Sequence, residues 1–130
     1  RAAEVLSAVG DVRPSILHGD LWVGNAGVTR GGATVLFDPA CFYGHSEFDL
    51  AFQGWPAADG FPGFGESFYE GYHSLLPRMA GHEERRRVYQ LFHLLNHASI
   101  YGPEYLGLAD DLIDQVLDLP RTHRRGASPY

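Results

Sequence analysis

Three polar residues hold the chemistry this chain could do: Asp20, Asn25 and Asp38. They stand in His18-Gly19-Asp20-Leu21-Trp22-Val23-Gly24-Asn25 and in Phe37-Asp38-Pro39. An Asp, an Asn five residues later and a second Asp beyond two short β-like runs are the groups that phosphoryl transfer requires. One carboxylate must orient and deprotonate the attacking hydroxyl. An amide oxygen and a second carboxylate supply the hard oxygen donors that hold Mg²⁺ against phosphates. Asp20 is therefore the candidate catalytic base, and Asn25 and Asp38 are the candidate metal ligands. Because the transition state is loose, orienting the hydroxyl counts for at least as much as removing its proton. Singly, each residue has a plainer reading: Asp20 as the cap of a surface turn, Asp38 as the start of an Asp-Pro turn. Together, with two strands spaced between them, they favour the site.

The elements that must position these groups follow from the apolar pattern. Val5, Leu6 and Val9 predict a helix end stopped by Gly10, and Ile16-Leu17 leads into the Asp20 loop. Residues 26–29 and 34–37 predict short strands joined by Arg30-Gly31-Gly32, a hairpin that returns Asp38 beside Asn25. Asp49 predicts the start of a short helix through Leu50, Ala51 and Phe52. Phe61, Phe64, Phe68, Tyr72 and Leu75 predict a helix ending before Pro77. Val88, Leu91, Phe92, Leu95 and Ala98 predict another over 82–101. Tyr105, Ala109, Leu112, Val116 and Leu119 predict a last one stopped by Pro120. The expected fold class is mainly α with a small β-hairpin, an α+β arrangement.

Composition narrows the classes. At 130 residues and 45% hydrophobic, the chain can bury one modest core. A net charge of -6 and a pI near 5.5 stand against a nucleic-acid partner. The Arg85-Arg86-Arg87 run reads as a solvated helix face beside Glu83 and Glu84, and residues 120–130 read as a frayed tail. Neither a bilayer-length apolar run nor a charged-then-apolar leader is present, so no membrane partner is expected. The single cysteine, Cys41, excludes an internal disulfide framework and suggests a reducing, cytoplasmic setting. A small buried hydrophobe is the expectation for it, ahead of a reactive thiol near Asp38. His93 and His97, four apart on one helix face, have a spacing that can chelate metal. No His-Glu-x-x-His signature accompanies them, and a structural reading is preferred. A serine hydrolase is a weaker reading still, since the chain has no Gly-x-Ser-x-Gly elbow.

His18-Gly19-Asp20-Leu21-Trp22, Phe37-Asp38-Pro39-Ala40 and Gly44-His45-Ser46-Glu47-Phe48-Asp49-Leu50-Ala51 together resemble the fructosamine kinase (ketosamine-3-kinase) family. That family is related to aminoglycoside phosphotransferases and choline kinases, whose fold is similar to protein kinases. The protein-kinase catalytic loop shares the Asp-x-x-x-x-Asn spacing. The resemblance covers about residues 15–119 and implies the C-terminal lobe of such a fold, with residues 1–119 as that lobe. It implies ATP and Mg²⁺ as cofactors and a small glycated amine as substrate. Phosphate would go to the 3-hydroxyl of a fructosamine, giving a product that decomposes and frees the amine. It also places the 45–49 segment beside the active site. Glu47 is then a candidate substrate contact, His45 a supporting residue, and Asp49 a helix cap that ties down the catalytic loop. His18 braces that loop. Trp22 is either a packing anchor or a flat wall against the C–H face of a sugar.

All ten basic residues are arginines. Kinase-like folds place a lysine on the α- and β-phosphates, and neither that lysine nor a Gly-x-Gly-x-x-Gly loop is present. With no initiator Met, the chain is expected to be part of a longer protein whose N-terminal ATP lobe lies elsewhere, and to be inactive alone. Three other readings remain: an aminoglycoside- or choline-type phosphotransferase, a non-catalytic kinase-like binding module, or a helical domain whose loop only mimics the motif. Trp22 and the Gly-His-x-Glu-x-Asp run favour the fructosamine reading over the first. Intact Asp20, Asn25 and Asp38 argue against the second. Oligomeric state is not legible.

Overall fold

A computed structural model describes residues 1–55 and 63–120. The chain divides into two compact units, Val12–Met79 and a helical unit built from Arg1–Asp11 with the segment from Ala80 onward. The predicted Phe61 start of the second helix lies outside the described residues.

The first unit holds the site. Strand β1 (Ser15–Leu17) pairs antiparallel with β4 (Phe42–Gly44), with Ser15 opposite Gly44 and Leu17 opposite Phe42. Strand β2 (Ala26–Val28) pairs antiparallel with β3 (Thr34–Leu36), with Ala26 opposite Leu36 and Val28 opposite Thr34. The second pair is the predicted hairpin, one residue shorter on each strand. Its turn is closed by the Thr29 N–H on the Ala33 carbonyl at 2.9 Å and the Gly32 N–H on the Thr29 carbonyl at 2.9 Å. The β1–β4 pair is a correction to the single expected hairpin. Three-residue strands separated by 24 intervening positions leave no local periodicity to read. Helix α2 (Glu66–Leu75) completes the unit; Phe64 stacks on Phe68 at 4.2 Å. Leu75, predicted as part of its apolar stripe, is instead 83% exposed.

In the helical unit, α1 (Ala2–Ser7), α3 (His82–Tyr101) and α4 (Leu106–Leu117) pack on Val5, Val88, Val116 and Leu119. Burial of these side chains is the main stabilising term, at about 1.5–3 kcal/mol each when complete. Arg1 adds hydrogen bonds to the Leu119 and Pro120 carbonyls and a 2.6 Å ion pair with Glu4. The α4 stripe is buried as predicted at Ala109, Leu112, Val116 and Leu119. For α3 the helix is as predicted but its buried face differs. His82, Arg85, Gln90, His93 and Leu94 are buried beside Val88, while Phe92 and Leu95 are exposed. An apolar count cannot find a buried face that is mostly polar.

Candidate active site

The Asp20 loop begins where β1 ends. Leu17 is buried, and the chain then bends at Gly19 with φ +82°. A Cβ at Gly19 would lie 2.2 Å from the Ala40 carbonyl oxygen, so only glycine lets these backbones cross. The Ala40 N–H donates to the His18 carbonyl at 2.8 Å, closing the crossing.

Asp49 clamps the same turn from below. Its Oδ2 accepts the His18 N–H at 2.7 Å, and its Oδ1 accepts the Gly19 N–H at 2.8 Å. Burial pushes the Asp49 carboxyl above its ordinary value, against the opposing pull of the Gly19 and His18 N–H groups. The expectation that Asp49 caps a helix is corrected. The 3₁₀ turn runs Ser46–Leu50, its capping position is His45, and no side chain caps it. Asp49 sits inside the turn and spends its carboxylate on the neighbouring loop. Tyr72 of α2 donates to the Ser46 carbonyl at 3.1 Å, anchoring the start of this turn. Burial, with the Asp49 and Glu47 carboxylates nearby, pushes the Tyr72 phenol up, which keeps its donating proton in place. Tyr72 and the Phe42–Phe48 edge-to-face pair at 5.0 Å support the site and carried no sequence signal beyond an aromatic stripe.

Asn25 ends the 3₁₀ turn Val23–Asn25 and folds back onto Asp20. Its Nδ2 donates to the Asp20 carbonyl at 2.9 Å and to Asp20 Oδ2 at 2.8 Å. The Asn25 carbonyl accepts the Phe37 N–H at 3.1 Å, which extends the β2–β3 pairing by one residue. His18 Nε2 donates to the Phe37 carbonyl at 3.0 Å. Phe37 is thus held on both sides, and Asp38 emerges next in the chain, exposed, with φ +52°. A non-glycine residue with positive φ in front of a proline is strained, and such strain concentrates at functional sites. The fold thus bonds Asn25 to Asp20 and places Asp38 one residue beyond the Asn25–Phe37 pair.

Trp22 is half-buried and lies across Gly24; a Cβ there would come within 2.1–2.5 Å of three indole atoms. Glu47 is buried, its Oε2 3.9 Å from His45 Nδ1. Cys41 is exposed, which corrects the expectation of a buried thiol. His97 donates from Nδ1 to the His93 carbonyl at 2.8 Å, an intrahelical bond that engages one ring nitrogen of the pair. Among the described residues no group of three or more His, Cys, Asp or Glu side chains is placed to hold a metal.

The fructosamine kinase family model matches residues 2–119. The chain belongs to the fructosamine kinase family. It is 44% identical over 106 residues to a chloroplastic protein-ribulosamine 3-kinase of Arabidopsis thaliana, covering 82% of this chain and 31% of that protein. It is 48% identical over 97 residues to a ketosamine-3-kinase of Mus musculus, covering 75% and 29%. A crystal structure assigned as a fructosamine-3-kinase of Haemophilus somnus 129PT superimposes with a TM-score of 0.68 at 33% identity, covering 85% of this chain and 37% of that one. The chain thus spans about three-tenths of the length of these curated fructosamine kinase relatives. Among the described residues no helix is long and apolar enough to cross a membrane.

Proposed function

We propose that residues 1–119 form the acceptor-binding, catalytic-loop lobe of an ATP-dependent ketosamine kinase with a kinase-like fold, the nucleotide being covered by a lobe outside these residues. Family membership supports the kinase reading, and the lack of lysine and of a glycine-rich phosphate loop supports the division into lobes. The observation that carries the chemistry is the Asn25 Nδ2 bond to Asp20 Oδ2 at 2.8 Å. One oxygen of Asp20 is fixed by it, which orients the other toward an acceptor hydroxyl.

In this reading Asp20 accepts the proton as the sugar 3-hydroxyl forms its bond to the γ-phosphorus and the bond to ADP breaks. Trp22, seated on Gly24, presents its indole as a wall for the sugar. His18 and Asp49 hold the loop, and His45 with buried Glu47 packs the segment beneath it. The donor set fits a hard cation. Asn25 spends its amide nitrogen on Asp20, so its oxygen remains, and Asp38 is an exposed carboxylate one residue beyond Phe37. Two protein oxygens with no His or Cys suit Mg²⁺, which keeps waters and phosphate oxygens as its other ligands. Bound there, Mg²⁺ would neutralise charge on the transferring phosphate. The acceptor is a small glycated amine, and the product of 3-phosphorylation would release the amine.

The test is mass-spectrometric detection of phosphorylated fructose-lysine with Mg·ATP, comparing the longer protein with the 130-residue chain. Phosphate gain only with the longer protein is the expected result. No gain in either, with ATP still bound by the longer protein, would move the acceptor to another amino alcohol. No ATP binding would make this a non-catalytic module.

A further inference from the structure

Helix α2 has two faces. Phe68 and Tyr72 lie on one, and Tyr72 is bonded to Ser46. Glu66, Tyr69, Glu70 and His73 recur at three- and four-residue steps on the other. With Phe64 and Arg78 they line an open cavity of about 610 Å³, a size that holds small organic ligands. The cavity shares no residue with the catalytic loop. Tyr69 is buried and Phe64 half-buried, so the floor is aromatic. Glu66 and Glu70 sit at i and i+4, an arrangement in which two carboxylates repel. Among the described residues neither has a hydrogen-bond or ion-pair partner. Among the described lining residues, with histidine counted as uncharged, two carboxylates stand with one guanidinium, an excess of one negative charge.

We propose that this cavity binds an alkylammonium group, of the kind a lysine side chain presents. Aromatic faces and carboxylates are the two surfaces an ammonium favours, the first through the ring quadrupole and the second through charge. An anion would meet the excess carboxylate. A calcium ion would need six to eight oxygen ligands where two carboxylates and two aromatic rings stand. Binding an ammonium also relieves the Glu66–Glu70 repulsion, so the ligand would stabilise α2. Assigning the group to a lysine of a polypeptide acceptor rests on the ketosamine kinase reading. The preference for an ammonium does not.

The test titrates the full chain with pentylammonium chloride and with 1-pentanol, its neutral counterpart, following the ring resonances of Phe64 and Tyr69 by NMR. Saturable shifts with pentylammonium, and affinity for pentanol lower by about tenfold, are expected. Glu66→Gln and Glu70→Gln should each weaken binding about threefold, the size of a partly screened ion pair. Both variants remove a like-charge contact; Glu70→Gln should fold at least as well as the parent, while Glu66→Gln also loses a favourable first-turn carboxylate and should fold with only a slight loss of stability. Asp110→Asn, the same charge change on α4, should leave the titration unaltered. Equal affinity for pentanol, absence of saturable shifts, or indifference to both Glu→Gln changes would overturn the proposal. The readout uses neither ATP nor turnover, so it can fail while the kinase reading stands, and the reverse.

Discussion

The two compact units of this chain are stabilised by different physics. In the helical unit, α1, α3 and α4 bury a cluster of valine and leucine, and contacts three or four residues apart set each element. In the unit from Val12 to Met79 the strands are three residues long, and side chains bonded to distant backbone do the positioning. Asp49 reaches back 31 residues to the His18 N–H, and His18 reaches 19 residues forward to the Phe37 carbonyl. Apolar burial tolerates volume-conserving change, whereas a half-buried carboxylate holding two N–H groups has no substitute of another type. The difference predicts where single substitutions will be severe.

The largest effect should come from Asp20→Asn in the longer protein. Turnover should fall about 10²–10⁴-fold with ATP affinity nearly unchanged. A kcat close to the parent's would remove Asp20 from its role. Next is Asp49→Ala, which strands the His18 and Gly19 N–H groups and should cost about 3 kcal/mol of stability by chemical denaturation. A loss below about 1 kcal/mol would show that the loop is held by other contacts.

In the helical unit a comparable polar liability sits at His93. Burial, helped by the neighbouring His97 charge, pushes His93 down to about 4 from the usual 6.5. Neutral His93 is therefore favoured in the folded state. Stability should be full above pH 6.5 and decline as pH falls toward 4, by on the order of 3 kcal/mol. Urea midpoints measured across that range should flatten in His93→Leu; an unchanged slope would assign the loss to carboxylates.

Gly24→Ala pushes the new methyl into the Trp22 indole and should cost about 1–3 kcal/mol in strain or displaced packing. If Trp22 is the acceptor wall, KM for fructose-lysine should rise more than kcat falls, and Trp22→Leu should relieve the clash without restoring KM. The smallest effect belongs to the helical surface. Arg86 and Glu83, paired at 2.6 Å three residues apart, should contribute no more than about 0.5 kcal/mol, read from Arg86→Ala.

Much of this molecule is written in local pattern. The three- and four-residue recurrence of Ala109, Leu112, Val116 and Leu119 names both a helix and its buried face, because an apolar stripe has only one place to go. Helix α3 shows the limit. Its turns are local, but which side is buried depends on what packs there, and His82, Arg85 and His93 occupy that side. The β1–β4 pair and the burial of Glu47 were likewise out of reach, since each is settled by residues far along the chain.

For the site the division is sharper. Legible before folding were the types and spacing of Asp20, Asn25 and Asp38, the hairpin between Asn25 and Asp38, and the family to which they belong. Residue chemistry and short-range geometry suffice for those. The loop tie expected of Asp49 is present, but folding settled that it is made from inside the 3₁₀ turn rather than from a helix cap, that Trp22 lies on Gly24, and that Asp38 takes a left-handed backbone. The Asp49 contact joins segments about 30 residues apart that only folding brings close, where hydrogen bonding to otherwise unsatisfied N–H groups outweighs local preference, whereas the Trp22 and Asp38 conformations are local ones that residue type alone does not select.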